Sequence, residues 1–252
     1  MSRLIQQLGW SSTQNMSLIC FPFAGGYSAS FRPLQTCLQD RYHFLVAEPP
    51  GHGTNLMPLV DDMETLVELY LTALRPALVK PFVLFGHSMG GLVIYRLAQK
   101  LERQGIFPQA LIISAVQPPH IHRNVVTHLD DSAFLDHVIG IGGIPPELVQ
   151  YKELLDYFVP AFRADFKALE TFKHTDHSLI HSPVHIFNGS EDEKCMADAP
   201  GWRQWFYSEP TFHVFQGGHM FLLSQTDAVA ASIQSIIETQ PVRDEHLYAG
   251  SV

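Results

Sequence analysis

Gly86-His87-Ser88-Met89-Gly90-Gly91 fits G-x-S-x-G, a serine held between glycines. The apolar run 81–85 (PFVLF) precedes it, and a helical pattern over 92–101 follows it. A nucleophile elbow needs that context. The chain turns sharply from strand to helix, small flanking residues let backbone come close, and the serine oxygen is lifted clear of the sheet. The helix N-terminus then points its positive end at a reacting carbonyl. The chemistry implied at Ser88 is nucleophilic acyl transfer. Outside such a context the same residues would be a glycine-rich turn with an inert serine.

A serine alcohol attacks poorly without a base to take its proton and an acid to orient that base. Around an elbow of this kind the chain order is Ser, then Asp or Glu, then His. The acid is expected after a later strand and the histidine after the last one. The run 183–187 (PVHIF) leads into Asn188-Gly189-Ser190-Glu191-Asp192-Glu193, and the run 211–215 (TFHVF) leads into Gln216-Gly217-Gly218-His219. His219 is the expected general base. Glu191, Asp192 and Glu193 compete as the acid; Asp192 is favoured by its place two residues after Ser190. The oxyanion formed on attack needs two main-chain N–H donors. One is expected from Met89, just after the nucleophile. The other is expected from the glycine loop Phe21-Pro22-Phe23-Ala24-Gly25-Gly26-Tyr27, with Ala24 preferred and Phe23 second.

The elements that must position these residues are legible as apolar runs. Runs at 17–23, 42–48, 81–85, 110–116, 183–187 and 211–215 are almost continuously apolar rather than alternating. Strands covered by helices on both faces have this character, which predicts a parallel sheet. Between two of them Met63, Leu66, Val67, Tyr70, Leu71 and Leu74 recur at helical spacing, with Asp61 or Asp62 as N-cap. Residues 228–237 form a closing helix. The alternation predicts an α/β fold, in one domain over 1–252. Residues 117–182 hold helical pieces but no strand, with a breaker cluster at 140–146. This interval is expected to be a helical lid over the catalytic edge, ordinary packing helices being the alternative. The polar stretch 240–252 is expected to fray.

Composition narrows the partners. The formal net charge is −9, which argues against nucleic acid and anionic membrane. Residues 1–15 show no basic-then-apolar leader, and no apolar run is long enough to span a bilayer, so a cytoplasmic address is expected. Cys20, Cys37 and Cys195 are odd in number and lack CxxC spacing, which predicts free, inert thiols. The pair His120/His122 and the group His174, His177 and His181 lack converging acids, so no metal site is expected.

With these residues assembled, the chain resembles the type II, or external, thioesterases of nonribosomal peptide and polyketide synthesis. The resemblance rests on FPFAGG at 21–26, EPPGHG at 48–53, GHSMGG at 86–91, NGSED at 188–192 and GGHMFLL at 217–223, and it runs along nearly the whole chain. GHSMGG alone is common among hydrolases; its combination with FPFAGG and GGHMFLL is far more specific. RLAQKLERQGIFPQA at 96–110 and QPPHI at 117–121 bring it close to the stand-alone thioesterases of surfactin-type lipopeptide synthetases. The resemblance implies an α/β-hydrolase fold and the triad Ser88, Asp192 and His219, which selects Asp192 among the three acids. It implies no cofactor of the protein's own. The implied substrate is an aberrant acyl or aminoacyl thioester on the 4'-phosphopantetheine arm of a carrier domain, and hydrolysis would restore a blocked synthetase. A monomer is expected. The competing readings are an acyl-CoA thioesterase, a small-molecule carboxylesterase and a non-catalytic carrier-binding protein.

Overall fold

The apolar runs become the strands of a single sheet. The computed structural model describes residues 3–9, 15–39, 41–78, 80–144 and 146–239. Its strands are β1 (Ile5–Gln7), β2 (Ser17–Phe21), β3 (His43–Ala47), β4 (Phe82–His87), β5 (Ala110–Ser114), β6 (Val184–Gly189) and β7 (Thr211–Phe215). They lie in the order β1-β3-β2-β4-β5-β6-β7. Only β1 runs antiparallel, against β3; every other neighbouring pair is parallel. The helices are α1 (Arg32–Leu38), α2 (Met63–Leu74), α3 (Met89–Glu102), α4 (Asp131–Gly140), α5 (Lys152–Thr171), α6 (Glu193–Asp198), α7 (Phe221–Ser224) and α8 (Thr226–Thr239).

Strand residues alternate between two cores, which is why the runs look continuously apolar. Ile19, Phe21, Leu45, Leu84, Leu111 and Ile113 join the cluster that contains α2 and α3. Leu18, Cys20, Phe44, Val46, Val83 and Phe85 join the cluster that contains α1 and α8. Helix α2 starts where its spacing predicts: Asp62 accepts the Thr65 N–H at 2.8 Å, and Met63, Leu66, Val67, Tyr70, Leu71 and Leu74 are all buried. This is the α/β-hydrolase architecture, a mostly parallel sheet flanked by helices.

The differences lie at the edges. Strand β7 is not covered on both faces: Val214 is 58% exposed, and only Phe215 is buried. Its apolar run belongs to an edge strand, which run length alone does not reveal. Strand β1 is three residues long and mostly polar, and it is absent from the expectations above. So is the seven-residue α1. The interval 117–182 carries α4 and α5, with no strand among its described residues beyond an isolated bridge at Ile180. Residues 240–252, expected to fray, lie outside the described residues. Among the described residues no helix is long and apolar enough to cross a membrane.

One buried ionic network fixes the return from α5 to β6. Arg96 on α3 donates to Glu64 at 2.6 Å and to Asp176 at 2.8 Å, and Gln99 donates to the Asp176 and Ser178 carbonyls. Burial would raise the Asp176 carboxyl, but hydrogen bonds from Arg96 and Ser178 outweigh it and hold it at about 2. A carboxylate depressed in the folded state stabilises above its ordinary value of 3.8, and that contribution fades as pH falls toward about 2. Asp176→Asn is expected to lose about 2 kcal/mol in urea unfolding at neutral pH. The gap from the parent protein should narrow between about pH 4 and pH 2.

Candidate active site

The elbow is visible in the backbone. Ser88, directly after β4 and before α3, has φ 53° and ψ −117°, a left-handed φ that a side-chain-bearing residue adopts only under constraint. The Ser88 N–H donates to the Ser114 carbonyl on β5 at 2.7 Å. A Cβ on Gly90 would lie 2.1 Å from the Phe21 carbonyl oxygen, and one on Gly86 would lie 2.1 Å from the Gly90 oxygen. Both glycines are therefore required by close approach of main chain.

Three elements converge on Ser88. His219, between β7 and α7, places Nε2 at 2.9 Å from Ser88 Oγ and Nδ1 at 2.6 Å from Asp192 Oδ2. The Nδ1–H donates to the carboxylate, so Nε2 is the acceptor that faces the serine hydroxyl. Asp192, just after β6, is the N-cap of α6; its other oxygen accepts the Cys195 N–H at 3.2 Å. Burial would raise the Asp192 carboxyl, but the His219 hydrogen bond and charge, with the bonds from Cys195, hold it below its ordinary range. Of the competing acids, Glu191 accepts from the Gln216 amide at 2.8 Å, and Glu193 is exposed in the first turn of α6. Only Asp192 meets the histidine.

The oxyanion loop follows β2. Its Gly25 N–H donates to Asp165 Oδ2 at 2.7 Å, and its Gly26 N–H donates to the Phe23 carbonyl at 2.8 Å. Those amides are committed elsewhere, so within the glycine turn Ala24 and Phe23 are the donors that can serve an oxyanion. Ala24, Phe23 and Met89 line one cavity of about 480 Å³ together with Ser88 and His219. Val126, Val138, Ile141, Phe166 and Met220 give that cavity an apolar wall suited to an acyl chain.

Several supporting residues escape the reading of the sequence. His87, the variable position of the elbow, is fully buried, and its Nε2 donates to the His219 carbonyl at 3.0 Å. Its Nδ1 takes the Ser114 hydroxyl at 2.9 Å. Burial, with the His219 charge, pushes His87 down to about 3, so it stays a neutral strut. Cys195 is buried, and burial followed by the adjoining Asp192 charge raises its thiol well above the ordinary value. Asp192, Cys195 and His219 bring ligand-type atoms within 4.8 Å of one another. Of these, the Asp192 carboxylate is already bonded to His219 and to the Cys195 N–H.

Asp165 is the least expected member. It is buried on α5, 140 residues from the Gly25 it holds. His52, also buried, sits with Nε2 at 3.1 Å from Asp165 Oδ2, a charge contact rather than an aligned hydrogen bond. Its Nδ1 bonds the Pro50 carbonyl at 2.9 Å. Burial would lower His52, but the adjacent Asp165 carboxylate, the Pro50 carbonyl and the Glu48 charge together raise it. Gly25 has φ +78°, and a Cβ there would lie 1.9 Å from the Phe162 ring of α5. One helix of the interval 117–182 thus clamps the oxyanion loop from two sides.

A strained elbow, a base hydrogen-bonded to it and an acid behind the base, on a mostly parallel sheet, define a serine hydrolase of the α/β-hydrolase class. The chain matches the thioesterase domain family over residues 16–237 and belongs to that family. It is similar to the probable anguibactin biosynthesis thioesterase AngT of Vibrio anguillarum, at 32% identity over 85% of this chain and 89% of the relative. It is also similar to the structure of the type II thioesterase BorB from the borrelidin biosynthetic cluster. That likeness has a TM-score of 0.86 and 28% identity, over 94% of this chain and 98% of the other. The structure of YbtT, a type II thioesterase from the yersiniabactin pathway, gives a TM-score of 0.83 and 28% identity over 94% and 100%.

The clamp can be tested by kinetics. Asp165→Ala frees the Gly25 amide and lets the oxyanion loop drift. The expected result is a fall in kcat of about tenfold or more with KM changed less than about twofold. Affinity for a trifluoromethyl ketone, which forms an oxyanion on Ser88, should fall in parallel. A folded variant that keeps kcat would rule out the positioning role.

Proposed function

We propose that this protein hydrolyses aberrant acyl or aminoacyl thioesters from the phosphopantetheine arm of carrier domains, with Ser88, Asp192 and His219 as its triad. The observation that carries this reading is the unbroken line from Ser88 Oγ through His219 to Asp192, at 2.9 and 2.6 Å, in a chain of the thioesterase family.

The reaction has two halves. His219 Nε2 takes the Ser88 proton as the oxygen attacks the thioester carbonyl. The Ala24 and Met89 N–H groups receive the oxyanion. The carbon–sulfur bond breaks, and the thiol departs with the proton from His219. Water, activated by the same imidazole, then attacks the acyl-serine and releases the carboxylic acid. Asp192 keeps the Nδ1 proton in place and stabilises the imidazolium. A thiol has a pKa of about 8.5, so its expulsion needs less proton assistance than an alkoxide's. No cofactor enters any step.

The interval 117–182 is proposed as the lid. Tyr151, Leu154, Tyr157 and Phe158 on or beside the first half of α5 are exposed apolar side chains. Carrier domains are acidic in this reading and so is this chain, so apolar contact at this surface, with the Phe23 loop, would govern docking. The sequence stretches at 96–110 and 117–121 favour a lipopeptide synthetase of the surfactin type as the host system. A cytoplasmic monomer fits that setting.

The test is mass spectrometry of a carrier domain mischarged with acetyl, before and after exposure to the enzyme. Wild type is expected to remove the acetyl mass and leave the arm intact. Ser88→Ala should lose hydrolysis by at least about a thousandfold while still binding the carrier. Faster turnover of simple esters than of the loaded carrier would replace this reading with a carboxylesterase. Turnover retained by Ser88→Ala would remove the nucleophile.

A further inference from the structure

A second cavity of about 460 Å³ adjoins the acyl chamber, and His122, Arg123, Leu169 and Glu170 line both. Ser88 faces only the first. The second cavity is built around Trp205, whose ring lies 4.3 Å from His174, 5.6 Å from His120 and 5.7 Å from His177. The Trp205 N–H donates to His120 Nδ1 at 3.1 Å, which puts the proton of the neutral His120 ring on Nε2.

The charge of this cavity runs against that of the protein. In a chain of net charge −9, its fixed charges are Arg123 and Lys173 against Glu170. Glu170 is already engaged: it accepts the Val126 N–H at 2.6 Å, the Thr127 N–H at 3.0 Å and the Thr127 hydroxyl. Arg123 has no such partner. Among the described residues its guanidinium donates only to the main-chain carbonyls of Gln117, at 3.1 Å, and Ile121, at 3.4 Å. The other arginines withdrawn from solvent among the described residues pair with carboxylates, Arg96 with Glu64 and Asp176, and Arg163 with Asp131. Burial pushes Arg123 down to about 10, which still leaves it cationic at neutral pH. A half-buried guanidinium on a cavity wall, paired with carbonyl dipoles alone, is set to receive an anion that arrives with a ligand.

We propose that this cavity is the phosphate subsite for the pantetheine arm, with Arg123 as its inner cation and Lys173 as its outer one. The arm carries a phosphate at one end and the thioester at the other. Seated here, it would pass Leu169 and present the thioester to Ser88 in the adjoining chamber. This rests on the thioesterase reading above. The same phosphate occurs on the serine of a carrier domain and within coenzyme A.

The test compares pantetheine, phosphopantetheine, coenzyme A and carrier-domain thioesters of one acyl group, with wild type, Arg123→Gln and the exposed-site variant Lys173→Glu. For wild type, adding the phosphate to the pantetheine thioester should lower KM about tenfold, the worth of one charge-assisted contact. Both variants should erase that gain by raising KM for phosphate-bearing substrates, and Lys173→Glu, whose side chain lines only the second cavity, should leave kcat and the pantetheine thioester changed less than about twofold. Losses on both the phosphopantetheine and the carrier thioester place the carrier arm here. Losses confined to the coenzyme A thioester would point to its nucleotide phosphates and overturn the proposal. Equal losses on the pantetheine thioester would overturn it too, because Arg123 would then act on the acyl group or on folding. Calorimetric titration of phosphopantetheine into Ser88→Ala, with and without Lys173→Glu, reads the subsite without turnover. It separates failure of the subsite from failure of the thioesterase reading: undetectable binding in Ser88→Ala overturns the subsite alone, whereas hydrolysis of no thioester overturns the reading alone.

Discussion

The backbone of Ser88 is the constraint on which the rest depends. A left-handed φ at a residue with a side chain costs about 1–3 kcal/mol and persists only where its surroundings impose it. Here they do. Strand β4 lies between β2 and β5, with Gly86 opposite Phe21 and His87 opposite Ser114. The Ser114 carbonyl takes the Ser88 N–H, and the Gly90 backbone rests against the Phe21 carbonyl. Parallel pairing on both sides thus holds the turn, and the turn aims the hydroxyl.

The base and acid arrive from the other side of the sheet, and their positions follow from the same pairing. Strands β6 and β7 are parallel to β5, so their carboxyl ends release Asp192 and His219 at the edge that carries Ser88. What the topology leaves loose, buried polar contacts finish. His87 reaches from the elbow to the His219 carbonyl, and Asp192 is fixed at once by His219 and by capping α6. Each contact is electrostatically stronger for being withdrawn from water, and each would be costly to leave unmade.

The legible part of this site was local or topological. Ser88 stands out because its flanking glycines, its strand and its helix are contiguous in sequence. Asp192 and His219 stand out because chain order on this sheet limits where an acid and a base can come from. The expectation of a mostly parallel sheet holds because the inner strands bury both faces. The rest depends on contacts that sequence separation hides. No pattern announces that Asp165 meets Gly25, because α5 reaches the oxyanion loop only after folding. His87 reads as the free position of a motif, and its role emerges only from the carbonyl it meets. Strand β1 lacks an apolar run because it is a short edge element, and β7 misleads because an edge strand can be apolar without being covered.

Helix α5 joins these two levels. Its hydrogen-bond ladder is interrupted at Pro160, which cannot donate the N–H that would continue it. Before it, Leu154, Tyr157 and Phe158 are exposed while Leu155 and Val159 are buried; after it, Ala161, Phe162, Ala164, Asp165, Phe166 and Ala168 are buried. The second half walls the acyl chamber through Phe166 and holds the oxyanion loop through Asp165 and Phe162. Swinging that half outward would break the Gly25 bond and part the buried Asp165 from His52, leaving buried polar groups unpaired. The first half is held by apolar packing, through the buried Leu155 and Val159. The part of α5 that holds the glycine loop after β2 must therefore stay in place, and only the part before Pro160 could move at the cost of apolar contacts alone.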